Sequence, residues 1–261
     1  MNYSLLLAGL AVLFFALLLL AMRIGKRLGH RADDKSGAGA AAIEASVFAL
    51  LGLLVAFTFS GAAQRMAERR NLLVLEVNAI GTAWLRIDML NATDQPKLRK
   101  QFRRYVDGRI EYYSHVSDLG QREAIAGRVG ALQKEIWTTS MSAARNTVPP
   151  FAASYIGAVN DMFDVSTAQT VAQKVHPPVA TYAFLVFLAL VCACLIGSKL
   201  AVAQRDSMLH QLVYAVVMTA AIYIIVDFEF PRIGTIRIDQ SDALLAAQRQ
   251  SMVDPPAATA P

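Results

Sequence analysis

The residues of this chain whose types could do covalent chemistry are few and far apart. Four histidines, His30, His115, His176 and His210, share no short spacing. A zinc hydrolase would place two of them at i and i+4, as in H-E-x-x-H, so that one helix face holds the metal. Cys192 and Cys194 stand two residues apart, and on a helix such side chains point to different faces. They read as small buried apolar residues rather than as a disulfide or a zinc pair. No Gly-x-Ser-x-Gly, no P-loop and no Gly-x-Gly-x-x-Gly occurs. The sequence therefore nominates no catalytic, cofactor-binding or metal-binding residue, and an enzyme is not expected. The spacing that stands out is electrostatic. Arg65 and Arg69 lie at i and i+4 just past an uncharged run. Repeated around a symmetric assembly, they would form a ring that concentrates anions. The other reading pairs them with Glu68 and Glu76 of neighbouring helices.

Those residues sit in a chain composed for a bilayer. Its 261 residues are 55% hydrophobic and 17% charged, whereas a soluble domain holds about 45–50% apolar and about 25% charged residues. Tyr3–Met22, Ala45–Ala63, Val179–Ser198 and Leu212–Val226 contain no charge. A hydrocarbon core takes about 20 helical residues to cross, so four spans are expected. No Lys or Arg precedes the first apolar run, and Arg23, Lys26, Arg27 and Arg31 follow it. It reads as a retained helix, not a signal peptide. The composition excludes secretion, a freely soluble enzyme and a disordered chain. The net charge of +5 falls largely beside the spans, where basic residues are usual, and no basic helix with interleaved aromatics suggests nucleic acid.

Between the second and third spans lies a polar block with helical periodicity. The second helix meets no proline from Ile43 to Leu90; at 1.5 Å per residue it makes a rod of about 70 Å, so half of it projects from the bilayer. Thr93 or Asp94, with Pro96 in the first turn, opens a helix carrying Leu98, Phe102, Tyr105, Val106, Ile110 and Tyr113 at 3–4 spacing. Lys97, Arg99, Lys100, Arg103 and Arg104 are assigned to its remaining surface. Ile125, Val129, Leu132, Ile136 and Met141 mark another helix, and Pro149-Pro150 starts one through Phe151, Tyr155, Val159 and Phe163. The predicted class is an all-α integral membrane protein with four transmembrane helices and a helical extramembrane domain. Its parts are 1–63 (two spans and a flexible basic linker around Asp33–Gly39), 64–178 (helical domain), 179–228 (two spans) and 229–261 (a polar, partly disordered tail with a Pro/Ala end).

The second span carries the most information. Ala45, Ala49, Gly52, Ala56, Ser60 and Ala63 recur at 3–4 spacing, a pattern that lets helices approach closely. Gly52, Ala56 and Ser60 are the expected packing residues. Ala49, Leu53 and Phe57 form a neighbouring stripe.

Leu-Leu-Gly-Leu-Leu-Val-Ala-Phe57, Arg65 eight residues later, and Ala67-Glu68-Arg69-Arg70-Asn71-Leu72 resemble the second helix of the bestrophins. Val77-Asn78-Ala79-Ile80-Gly81-Thr82-Ala83-Trp84-Leu85-Arg86-Ile87-Asp88 closely resembles the bacterial group called bestrophin-like proteins. His176-Pro177-Pro178-Val179-Ala180-Thr181-Tyr182 is similar to the bestrophin entry to span three, and Asp227-Phe228-Glu229-Phe230-Pro231-Arg232-Ile233-Gly234 to the segment after span four. The resemblance implies a multi-pass protein of the bacterial inner membrane that self-associates, as a pentamer, to pass small anions such as chloride. It puts Ala49, Leu53 and Phe57 at the pore neck, and it leaves Arg65 and Arg69 as an anion mouth. Thr58 stands where many bacterial bestrophins carry Arg, and no acidic run matches a calcium clasp. The alternative is a non-conducting scaffold or sensor that binds a partner through the helical domain. Orientation has two readings: the charges after the first span put the loop 23–35 in the cytoplasm, whereas bestrophin architecture puts the helical domain there.

Overall fold

In the computed structural model, which describes residues 3–29, 38–115, 119–202, 208–230 and 239–254, every regular element is helical. The order is α1 (Tyr3–Gly29), α2 (Ala38–Arg86), a 3-10 turn (Ile87–Met89), α3 (Gln95–Ser114), α4 (Leu119–Arg145), α5 (Pro149–Ala172), α6 (Val179–Val202), α7 (Met208–Glu229) and α8 (Asp239–Ser251). They sort into two units, Met1–Met66 with His176–Ile236, and Ala67–Val175 with Arg237–Pro261.

The first unit holds the apolar spans, and α1, α2, α6 and α7 are each long and apolar enough to cross a membrane. Phe14, Leu18, Met22, Leu185, Ala189, Ala193 and Ala215 form its buried centre. α1 and α6 meet backbone to backbone. A Cβ on Gly25 would lie 2.7 Å from the Cys194 carbonyl carbon, and one on Gly197 2.7 Å from that of Met22. A Cβ on Gly29 would lie 2.5 Å from the Ser198 oxygen. Only glycine leaves room at these three points. The first helix therefore runs past the uncharged stretch Tyr3–Met22: Lys26 and Arg27 favour a helix C-terminus, and Gly25 and Gly29 carry the helix on as a packing surface. Cys192 is buried, Cys194 is half-buried, and both are free thiols.

The second unit is built around Leu98, Phe102, Tyr105 and Val106 of α3, Ile125, Val129 and Ile136 of α4, and Tyr155, Val159 and Met162 of α5. Asp94 occupies the α3 N-cap without a side-chain capping bond, and proline opens both α3 and α5. Val148, held extended before Pro149, is the conformation a residue takes ahead of proline. Two expectations change. Arg99 is buried rather than on the surface: it lies 4.7 Å over the Trp84 ring and pairs with Asp88. Phe151 is exposed rather than in the core. The tail also differs from the expected partly disordered segment over 239–254. There α8 forms, Leu245 and Met252 enter the core, Arg249 binds Asp107 at 2.7 Å and Arg103 binds Asp254 at 3.0 Å. Ala38 and Gly39, expected in the linker, belong to α2. The rest of that linker, Pro231–Gly234 and the Pro/Ala end at 255–261 lie outside the described residues.

Candidate functional site

α2 turns two faces in different directions. Val47, Phe48, Leu51, Leu54, Val55 and Ala62 pack into the core of the first unit. Ala49, Gly52, Leu53, Ala56, Phe57 and Ser60 are exposed, Leu53 by 51% and Phe57 by 65%. A Cβ on Gly52 would meet nothing within 4 Å. The expected packing residues Gly52, Ala56 and Ser60 are thus exposed on the face of α2 that turns away from the first unit's core. Within the chain, close backbone contacts are made by Gly25, Gly29 and Gly197. The hydroxyl of Thr58, half-buried on the packed side, donates to the Leu54 carbonyl at 2.8 Å and so needs no outside partner.

The two arginines placed at the mouth point elsewhere. A helix turns about 100° per residue, so Arg65 is offset by about 80° from Phe57, toward the packed side. Its Nε donates to Glu229 Oε1 at 2.5 Å. Its guanidinium lies back over Gly61, where a Cβ would come within 3.1 Å of Nη1. Glu229 is buried, and its second oxygen faces His176 Nδ1 at 3.2 Å. The His176 ring stacks on Phe230 with centroids 4.9 Å apart. Arg69 is buried in the second unit, donating to the carbonyls of Ala172 and Val175 at 3.0 Å each. Of the two arginines expected at the anion mouth, Arg65 is thus paired with a carboxylate and Arg69 is bound by backbone oxygens at the end of α5. Glu68 and Arg70 are the exposed charges of this stretch.

The family model described as a bestrophin-like domain matches residues 8–243. The chain belongs to the bestrophin-like family. No curated protein and no solved structure matches it. This family is known for channels rather than enzymes, and the four apolar helices of this bestrophin-like chain make it a membrane protein.

The bestrophin-like chain also holds a buried polar cluster that its sequence did not reveal. Glu76 on α2, fully buried, accepts from Arg109 Nε at 2.5 Å and from the Tyr113 hydroxyl at 2.5 Å. Arg109 Nη2 donates to the same hydroxyl at 2.6 Å, closing a triangle that ties α2 to α3. Desolvation works against the Arg109 charge, but Tyr113 and the Glu76 carboxylate beside it hold the guanidinium protonated, above its ordinary range. Burial pushes the Tyr105 and Tyr155 phenols above their ordinary range. The signal for this cluster was faint: Arg109 and Tyr113 share one α3 face with the core residues Phe102 and Tyr105, so the face is not uniformly apolar. Among the described residues no three His, Cys, Asp or Glu side chains gather to hold a metal.

Proposed function

We propose that this bestrophin-like protein is a homo-oligomeric, anion-permeable channel of the bacterial inner membrane, with the outer face of α2 lining the path. The observation that supports this reading most is the exposure of that face. The α2 span is 6% buried, against 28% for α6. Ala49, Leu53 and Phe57 would form an apolar neck, and Gly52, Ala56 and Ser60 would seat the adjacent copy. An apolar ring without hydrogen-bonding groups controls flux through its width and its wetting. The fivefold arrangement is the one the resemblance implies.

The test is chloride flux into liposomes holding the purified protein. Flux that depends on protein and falls when Phe57 is enlarged supports the channel. An intact oligomer that passes no ion overturns it and favours a scaffold that uses its helical domain to bind a partner.

A further inference from the structure

Arg65 is the only arginine or lysine of the first unit placed at the exit of the α2 span among the described residues, and its charge does not stand alone. Glu229 reaches it from the last residue of α7, buried to 1%, while the Arg65 side chain keeps 32% of its surface. A buried carboxylate is stable only with donors around it, and among the described residues Arg65 donates to one oxygen of this one and His176 faces the other. The absent Cβ of Gly61 supplies the space in which the guanidinium folds back along its own helix. A neutralised pair projects a dipole field, which falls off faster than that of a charge and attracts few anions.

We propose that Glu229 is a specificity-determining residue: it cancels the charge of Arg65 and holds it over Gly61, so the arginine nearest the end of the α2 span does not act as an open cation. For ion selectivity this rests on the channel reading; the placement of Arg65 does not. Replacing the carboxylate by an amide of equal shape keeps an acceptor but removes the attraction, and Arg65 then samples the outer side of the helix. The channel would become more anion-selective.

The experiment uses the full-length protein and phenylglyoxal, an arginine-selective reagent, with modification read by peptide mass spectrometry. Exposed Arg23, Arg27 and Arg70 serve as internal references. Loss of a charged hydrogen bond changes a local equilibrium by about tenfold or more, so Glu229→Gln is expected to raise the Arg65 rate about tenfold and leave the references unchanged. A change below about twofold overturns the proposal. If Glu229→Gln unfolds, which buried Arg109 would report by reacting, Glu229→Asp replaces it. That variant keeps the charge but loses reach, and an unchanged Arg65 rate there also overturns the proposal. In liposomes, Glu229→Gln is expected to raise the chloride-to-sodium permeability ratio several-fold, and Arg65→Gln with Glu229→Gln to abolish the gain. No flux from any variant, with the Arg65 rate raised, fails the channel reading and leaves the role of Glu229 in holding Arg65 standing. Flux with an unchanged ratio in Glu229→Gln overturns its role in specificity.

Discussion

Gly197→Ala is expected to be among the most damaging single-methyl substitutions in this chain. The new Cβ would sit 2.7 Å from the Met22 carbonyl carbon and 2.8 Å from its Cα. Non-bonded carbons rest at about 3.5–4.0 Å, so α1 and α6 must part by about 1 Å at their crossing. Neither obstacle is the tip of a flexible side chain; both are helix backbone. The two helices also meet at Gly25 and Gly29, one and two turns along α1, so the displacement spreads through the contact. A gap of 0.5–1 Å forfeits about a quarter to a half of each dispersion contact it opens. Overpacking costs about 1–3 kcal/mol and occasionally more, and a clash with fixed backbone belongs at the upper end, about 3 kcal/mol. For a chain of this length each kcal/mol lowers Tm by about 2–4 °C, which gives a fall of about 6–12 °C. The assay is thermal loss of helical circular dichroism in one detergent, with Gly9→Ala in α1 as the matched control, since a Cβ there meets nothing within 4 Å. A Gly197→Ala protein within about 2 °C of the unsubstituted one would refute the close-contact argument, because by the same scaling it caps the cost near 1 kcal/mol.

Phe57→Ala is expected to raise halide flux and Phe57→Trp to lower it, both with an unchanged oligomer; because the side chain is 65% exposed, truncation should cost far less than the roughly 3–5 kcal/mol of a buried phenylalanine. A large stability loss without a gain in flux would sink the neck assignment. Gly52→Leu or Ala56→Leu should break a detergent-stable oligomer while leaving the secondary structure intact, as seen by size-exclusion chromatography with light scattering; an unchanged size for both variants counts against an interface there. Arg109→Met leaves Glu76 buried without its cation, a loss of about 3–5 kcal/mol, whereas Arg128→Met, which removes an exposed pair with Glu111, should cost below about 1 kcal/mol; equal effects in thermal unfolding would contradict the burial argument. Alkaline titration followed at 295 nm tests Tyr105 and Tyr155, whose folded-state pKa values lie above the unfolded value of about 10. Their stabilisation is fully present below that pH and is lost as pH rises through it, so they should ionise only together with unfolding; smooth ionisation of every tyrosine in the folded protein would disprove it.

Much of this fold is visible in the sequence, because hydropathy belongs to single residues. Four uncharged windows give four spans, and 3–4 spacing finds α3, α4 and α5 with Phe102, Val129, Ile136 and Tyr155 correctly inside. What the sequence hides depends on pairs. Small residues recur on both α1 and α2, and nothing in either segment says that Gly25 meets Cys194 and Gly29 meets Ser198, while a Cβ on Gly52 would meet nothing within 4 Å among the described residues. The direction of Arg65 is partly present in its spacing. It lies sixteen residues after Ala49, about 160° of helix rotation, so it has left the side of the helix that Ala49 faces. Its partner Glu229 is 164 residues away, beyond the reach of any local pattern. α8 escaped because two core anchors, Leu245 and Met252, in a polar tail give too weak a periodicity to count.

The kind of residue each span exposes separates lipid contact from protein contact. The exposed positions of α1 include Leu5, Leu10, Val12, Leu13 and Leu20, and those of α7 include Leu212, Val213, Val216 and Val217. Bulky aliphatic side chains of this kind fill the space against mobile acyl chains. α2 instead exposes Ala45, Ala49, Gly52, Ala56 and Ser60 between its few large residues. Small side chains gain nothing against lipid, since the tails are as apolar as leucine, but they let a second backbone come close, where dispersion is strongest. A face made only for close packing would not also carry Leu53 and Phe57 on an adjoining stripe. One helix needs both kinds of surface when one side meets a neighbour and the other meets a shared axis, and that is the arrangement the α2 span is proposed to serve.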